Sequence, residues 1–258
     1  MKGLKHASMQ AETQDKPRAA SVHSYQVPEH AQLSLRLVTL LEIVSILGSV
    51  LLVVWGIAPL LPQIRWPMVP PAILAFLLIA YSIQLRGESL RELGFSRRYF
   101  LKACKLLMLP TGVACLILLL VGYFSHSFRR STHFELNLFV VPIWGVAQQF
   151  ILQGVIYRRI RQLLMPASAQ DANFLNHSNW AIFLTACVFA FVHLPNPALT
   201  MLTFIATLLW SWVYERAPNL WALGLSHGVL SLLVMHAIPS RFLQSMSVGY
   251  KHYLYQKF

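Results

Sequence analysis

The chain has 258 residues, of which 56% are hydrophobic and only 12% are charged. A soluble domain carries roughly 25% charged residues, so the composition excludes an ordinary soluble protein. The net charge of +12 does not indicate nucleic-acid binding, because the basic residues cluster beside apolar segments, where they set topology and contact anionic lipid. The length fits one domain.

The first part of the chain is polar and basic, without the apolar core of a signal peptide. We expect residues 1–32 to form a disordered tail, residues 33–238 a membrane-embedded domain, and residues 239–258 a C-terminal tail. The three cysteines fall in or beside apolar segments and form no CxxC pair, which is typical of small buried hydrophobic residues. They are Cys104, Cys115 and Cys187.

Seven apolar segments approach the length of about 20 residues that a helix needs to cross a bilayer. The predicted spans are 37–61, 68–85, 104–124, 136–157, 179–194, 196–214 and 219–238. The fifth and sixth meet at Pro195-Asn196-Pro197, which predicts a tight turn. Over residues 86–105, charged and apolar residues alternate at helical spacing, which predicts an interfacial amphipathic helix. The fold class is therefore all-α, a polytopic transmembrane bundle of seven or eight helices with one interfacial amphipathic helix.

Lysine and arginine positions orient the bundle, because cytoplasmic loops are enriched in them. The N-terminal tail, the segment 86–105 and the cluster Arg158-Arg159-Arg161 all fall on one side. This predicts a multi-pass protein with a cytoplasmic N-terminus, and the compact chain favours a bacterial inner membrane. Seven spans place the C-terminal tail outside unless it folds back.

Polar side chains inside the spans need a reason, because hydrocarbon does not solvate them. The fourth span carries Gln148, Gln149 and Gln153, and a spacing of four puts Gln149, Gln153 and Tyr157 on one helical face. Glu42 lies only a turn or two inside the first span, which favours snorkelling or an ion pair near the interface over chemistry. The remaining polar positions are His193 in the fifth span and His227 and Ser231 in the seventh.

Gln148 and His227 fall at one depth, and His193 is shallower but within reach of them by its side chain. At 1.5 Å per residue, Gln148 and His227 each lie about 18 Å from the outer face, and His193 lies about 9 Å from it. The sequence therefore predicts that three helices converge on one polar site. The alternative is that these side chains serve only as interhelical hydrogen-bond partners, worth about 0.6–2 kcal/mol each.

At these positions the sequence resembles the CPBP (CAAX-protease and bacteriocin-processing) family of intramembrane proteases, over residues 85–235. The family shows Glu-Glu-x-x-x-Arg, Phe-x-x-x-His and His-x-x-x-Asn helices. The matching stretches here are Gln148-Gln149-x-x-x-Gln153, Phe189-x-x-x-His193 and His227-x-x-x-Ser231. Leu93-Gly94-Phe95 and the stretch 212–221 also look like the family.

The resemblance implies an intramembrane endopeptidase in which a glutamate activates water, while the histidines and the asparagine assist the base and stabilise the oxyanion. The candidate catalytic residues are Gln148, Gln149, His193 and His227, with Gln153, Phe189, Ser231 and Tyr157 in support. An amide cannot accept the proton that a carboxylate accepts, so the family's general base, typically worth about 10²–10⁴-fold, is missing. Because two acidic positions and one basic position are neutral together, we interpret the change as a rebuilt neutral polar site.

Three functions remain open for such a site. The first is an atypical intramembrane endopeptidase, in which His193 or His227 acts as base toward a water that Gln148 positions. The second is a catalytically silent family member, a pseudoprotease that binds a membrane peptide or partner in regulation, immunity or secretion. The third is a metal or haem site, which the lack of a carboxylate or thiol beside the histidines disfavours, so no cofactor is predicted. The expected partners are membrane lipid and a membrane-associated peptide or protein, and not nucleic acid.

Overall fold

The computed structural model describes residues 29–57, 60, 69–129, 133–164 and 174–255. Most of the predicted N-terminal tail, residues 1–28, lies outside this part of the chain, and its last four residues belong to the first helix. The described residues are mainly helical, and none of them lies in a β-strand. The all-α fold class is confirmed.

The helices follow one another as a single series. They are α1 Glu29–Leu51, α2 Val69–Leu85, α3 Phe100–Phe124, α4 Phe134–Gln149, α5 Arg158–Leu164, α6 Phe174–Phe191, α7 Pro197–Arg216, α8 Leu220–Ala237, α9 Ser240–Leu243 and α10 Tyr250–Tyr255. Two π-helical segments extend this series: Leu52–Ile57 continues α1, and Phe150–Tyr157 joins α4 to α5. A 3₁₀ turn, Gln244–Met246, follows α9.

Five helical stretches are long and apolar enough to cross a membrane, and two shorter apolar helices accompany them. The long stretches are Leu35–Ile57, Phe100–Phe124, Phe134–Leu164, Pro197–Arg216 and Leu220–Ala237, and the shorter ones are Ile73–Leu85 and His177–Phe191. Together they correspond to the seven predicted spans, so the protein is a multi-pass membrane protein. The fourth span is longer than predicted because the π-helix carries it into α5.

Helix α8 is central to the bundle, since it packs against both α3 and α4, while α6 packs against α7. The α4–α8 contact is close enough to exclude side chains. A Cβ on Gly145 would lie 2.7 Å from the backbone oxygen of Gly224, and one on Gly228 would lie 2.6 Å from Cα of Pro142. Small residues allow such backbone contact between membrane helices.

The predicted amphipathic helix over 86–105 is wrong. Residues 86–99 form turns and bends, and α3 begins at Phe100. Gly87 and Gly94 interrupt any helix because they adopt φ values of +63° and +104°, a region that residues with a side chain rarely enter. The backbone conformation of these two glycines outweighs the charge periodicity that predicts a helix.

The loop 93–95 packs on the hinge between α7 and α8. The Leu220 N–H donates to the Gly94 oxygen at 3.0 Å, and the Tyr214 hydroxyl donates to the Leu93 oxygen at 2.9 Å. A Cβ on Gly94 would lie 3.2 Å from side-chain atoms of both Leu220 and Tyr214. The two stretches that resemble the family outside its helical motifs therefore contact each other.

A buried ion cluster ties α1, the segment that follows α2, and α5 together at one end of the bundle, called here the basic end. The fully buried Arg159 donates to Glu42 at 2.8 Å and to Glu88 at 2.7 and 2.9 Å. Glu42 also accepts from Arg86 at 2.8 Å, and Glu88 accepts from Arg158 at 2.9 Å. The expected pairing of Glu42 is confirmed. Each of these charges has an opposite partner, the condition under which proteins tolerate buried charge.

The chain after α8 folds back onto the turn between α6 and α7. Asn196 of that turn donates from Nδ2 to the backbone oxygens of Leu243 at 2.9 Å and Ser247 at 3.2 Å. The Gly249 N–H donates to the Leu194 oxygen at 2.9 Å. The C-terminal segment therefore forms part of the folded domain as far as α10.

Replacing Arg159 by methionine should lower the free energy of unfolding by about 3–5 kcal/mol, because two carboxylates lose their shared buried cation. Thermal unfolding in detergent micelles measures the loss. Arg161→Met is the matched control, since that side chain is 30% exposed and pairs with Glu215 at 3.0 Å. The Arg161→Met variant should lose less than about 1 kcal/mol of unfolding free energy. Equal losses would show that Arg159 is not the centre of the cluster.

Stability should also depend on pH through Glu88. Burial raises the pKa of this carboxyl, but the hydrogen bonds and charges of Arg159 and Arg158 outweigh burial and hold the pKa below its ordinary value of 4.5. A carboxylate with a depressed folded pKa contributes stability that is present above its unfolded pKa and is lost as the pH falls through the folded pKa. The unfolding temperature should therefore decline below about pH 4.5. Glu88→Gln should flatten that decline, and an unchanged profile would argue against this assignment.

Candidate active site

A cavity of about 330 Å³ lies between α1, α4 and α6. Its walls are mainly aliphatic, and the polar side chains among them are Ser49, Gln148 and His193. Val248, from the segment that follows α8, completes the wall. The cavity thus brings Gln148 of α4 together with a histidine from the end of α6.

His193 lies in the turn that follows α6, and its Nδ1 is 2.6 Å from the backbone oxygen of Phe189. Because a carbonyl oxygen only accepts hydrogen bonds, Nδ1 carries the hydrogen of the neutral ring. The lone pair is then on Nε2. This local contact gives the cavity a proton acceptor.

Gln149 and His227 form a buried pair outside the cavity wall. The Gln149 amide nitrogen lies 3.2 Å from Nδ1 of His227. With the amide as donor, Nδ1 accepts and the ring hydrogen is on Nε2, the opposite tautomer from His193. The His227 ring also stacks on Trp210 with 4.5 Å between the ring centroids. Gln149 has 0% of its surface exposed and His227 has 7%, so this pair is withdrawn from solvent and lipid.

The ring of Phe189 contacts both histidines. Its centroid lies 4.6 Å from that of His193 and 6.2 Å from that of His227, and it meets both rings edge to face. The predicted convergence of three helices therefore occurs in two layers. Gln148 and His193 line the cavity, and the Gln149–His227 pair lies behind Phe189.

Three of the predicted supporting residues make no hydrogen bond to either histidine within the described chain. Gln153 donates to Ser211 of α7 at 3.0 Å, and the Tyr157 hydroxyl donates to Glu215 of α7. Ser231 makes no side-chain hydrogen bond within the described part of the chain. All three side chains of the expected face, Gln149, Gln153 and Tyr157, are buried. Gln149 bonds to α8, whereas Gln153 and Tyr157 bond to α7.

Sequence reasoning missed the residues that hold α8 in place. The Trp210 indole N–H donates to Ser226 at 3.2 Å, and the Ser226 hydroxyl lies 2.9 Å from that of Thr111 on α3. Gly224 and Gly228 allow the close approach of α4. A Gly-x-x-x-Gly spacing in an apolar helix is a packing signal, so the glycines were detectable. The role of Trp210 was not, since stacking depends on tertiary placement.

The site is neutral as well as polar. No carboxylate is among the described residues that line the cavity. Gln149 and Gln153 each donate through Nε2, and their Oε1 atoms have no hydrogen-bond partner in the described chain. Among the same residues, no group of three or more His, Cys, Asp or Glu side chains could hold a metal ion. The acid–base chemistry available at the cavity is therefore that of one imidazole and one amide.

A family model matches most of the chain and includes these residues. The model described as type II CAAX prenyl endopeptidase Rce1-like matches residues 36–233. This confirms the resemblance to the CPBP family that the motifs indicate. No curated protein and no solved structure matches the chain.

Replacing Gln149 by leucine should lower the free energy of unfolding by about 1–3 kcal/mol, because the buried His227 loses its donor. Gln148→Leu is the matched control. Gln148 lines the cavity and makes no side-chain hydrogen bond within the described residues. The Gln148→Leu variant should therefore change the free energy of unfolding by no more than about 0.5 kcal/mol. Thermal unfolding of both variants in one detergent makes the comparison. A Gln149→Leu protein as stable as the wild type would contradict the rebuilt polar site.

Proposed function

The chain belongs to the Rce1-like family of type II CAAX prenyl endopeptidases, and from that membership we propose that it is an intramembrane endopeptidase in which His193 replaces the family glutamate as general base. One observation carries the proposal. The hydrogen bond of His193 Nδ1 to the Phe189 oxygen, at 2.6 Å, leaves Nε2 as a proton acceptor. That ring lines the same cavity as Gln148.

The proposed substrate is an apolar stretch of a membrane-associated polypeptide. The cavity walls include Leu47 and Val50 of α1 and Val188 of α6, which suit apolar side chains in a site away from water. Gln148 supplies both an amide donor and an amide acceptor, the complement of a peptide bond. A neutral site of this kind has no electrostatic preference for charged substrates.

In the proposed reaction, His193 Nε2 removes a proton from water as the water oxygen bonds to the peptide carbonyl carbon. The carbonyl π electrons move to its oxygen, and the Gln148 amide N–H donates a hydrogen bond to the oxyanion. The imidazolium then returns its proton to the peptide nitrogen as the C–N bond breaks. The products are a carboxylic acid and an amine. The Gln149–His227 pair acts as a positioning layer through Phe189.

Binding without cleavage is the second candidate, and the absence of a carboxylate from the described cavity wall favours it. The imidazolium formed by His193 would have no opposite charge nearby. Burial of an unpaired charge is costly, and this cost opposes the proton transfer. In that case the cavity retains a membrane polypeptide as a regulatory or secretory partner.

For topology, we propose that the protein lies in a bacterial inner membrane with the basic end of the bundle on the cytoplasmic side. The support is the concentration of Arg86, Arg158 and Arg159 at that end, since arginine is retained on the cytoplasmic side. The N-terminal tail then also faces the cytoplasm.

The decisive experiment uses protein in proteoliposomes with two quenched-fluorescent peptides, a farnesylated CAAX peptide and an apolar transmembrane peptide. His193→Asn is the sharpest variant, because its amide N–H can still bond the Phe189 oxygen while the proton acceptor at Nε2 is gone. It should lower kcat at least about 100-fold with little change in KM. Gln148→Glu, which adds a carboxylate beside the base, should raise kcat.

Peptide binding is measured in parallel by photocrosslinking. Cleavage that persists in His193→Asn would rule out His193 as the base. Crosslinking of either peptide with no cleavage by the wild type, and equal crosslinking of His193→Asn, would establish the second candidate in place of the first.

A further inference from the structure

A second concavity shares no lining residue with the first. This groove, of about 480 Å³, runs between α3, α6 and α7. Its apolar walls include Leu106 and Pro110 on α3 and Leu208 and Trp212 on α7. None of the candidate active-site residues lines it, so it is separate from the cavity that holds His193.

Two exposed cations lie at the basic end of this groove. Lys102 precedes Leu106 by four residues on α3, and Arg216 follows Trp212 by four residues on α7. Residues four apart share a helical face, so each cation lies on the face that lines the groove, about 6 Å beyond its apolar wall. The groove therefore has an apolar floor and a positively charged mouth.

The guanidinium of Arg216 is held over the groove. Its Cζ lies 4.0 Å from the centroid of the Trp212 ring, and its Nη1 donates to the Trp212 oxygen at 3.1 Å. The neighbouring acid Glu215 is engaged instead by Arg161 and Tyr157. Among the described residues, no carboxylate forms an ion pair with Lys102 or Arg216, so both charges are available to a ligand.

One uncharged polar group also lines the groove. Asn179 of α6 is exposed there, and its amide has no hydrogen-bond partner in the described chain. An amide in an apolar wall lowers its free energy by bonding a polar ligand atom. Ester carbonyl and phosphate oxygens of a lipid are acceptors of this kind.

We propose that the groove binds one anionic glycerophospholipid, with its phosphate between Lys102 and Arg216, its ester region at Asn179 and an acyl chain along the apolar walls. A single ligand then explains the three features together: cations at the mouth, an unpartnered amide below them and an apolar floor. A soluble phosphate would use only the cations. A zwitterionic lipid would use the floor but would gain less from two positive charges.

The test is native mass spectrometry of the full chain in detergent, titrated with dioleoylphosphatidylglycerol or with dioleoylphosphatidylcholine. The wild type should retain one phosphatidylglycerol in preference to phosphatidylcholine. The double variant Lys102→Ala, Arg216→Ala should retain phosphatidylglycerol roughly 10- to 30-fold less well, since each cation contributes near an anionic lipid surface. Its phosphatidylcholine retention should be unchanged.

The matched control is Arg91→Ala, which removes an exposed cation from the 86–99 segment, outside the groove. It should leave phosphatidylglycerol retention unchanged. Leu209→Trp, which fills the groove, should weaken both lipids, with monodispersity on size exclusion as the check of folding. Equal loss in Arg91→Ala, or no loss in the double variant, would overturn the proposal. Displacement of the bound lipid by millimolar inorganic phosphate would overturn its acyl-chain part.

Discussion

Helices α4 and α8 touch backbone to backbone, and the geometry of the site depends on that contact. Between membrane helices there is no hydrophobic driving force, so close packing and interhelical hydrogen bonds must hold them together. Atoms of the facing helix occupy the space that a side chain at Gly145, Gly224 or Gly228 would need. As a result Gln149 reaches His227 at 3.2 Å, and the His227 ring is fixed against Phe189.

The buried ion pairs and the polar cavity lie in different parts of the bundle. The buried charges of the ion cluster lie at the basic end, where Arg159 is paired with Glu42 and Glu88. No carboxylate is among the described residues that line the cavity, where Gln148 and His193 lie. A neutral cavity wall lowers the cost of burying the site in hydrocarbon. The same neutrality removes the counter-charge that a histidine base would use.

The spans were predictable because hydropathy reports burial in lipid directly. The depth of the polar residues predicted that α4, α6 and α8 meet, and Gln149 and Phe189 both contact His227. Depth cannot resolve neighbouring positions, however. Adjacent residues are separated by about 100° around a helix, and that rotation decides that Gln149, not Gln148, meets His227. Gln153, one turn further along, bonds to a serine of α7 instead. Which neighbouring helix a buried side chain meets depends on tertiary packing, which sequence periodicity does not report.

The 86–99 segment shows a second limit of the same kind. Its charge spacing predicts a helix, while its backbone bonds to the α7–α8 hinge through Gly94 and Leu220. A contact between segments more than 100 residues apart competes with local periodicity and prevails. Sequence patterns predict local structure well only where the backbone does not hydrogen-bond to a segment distant in the sequence.

Val248 follows every membrane span in the chain, yet it lines the same cavity as residues of α1. A ribosome delivers these two walls at opposite ends of synthesis. The cavity wall therefore forms only after the segment that follows α8 has been synthesised and has bonded to Asn196.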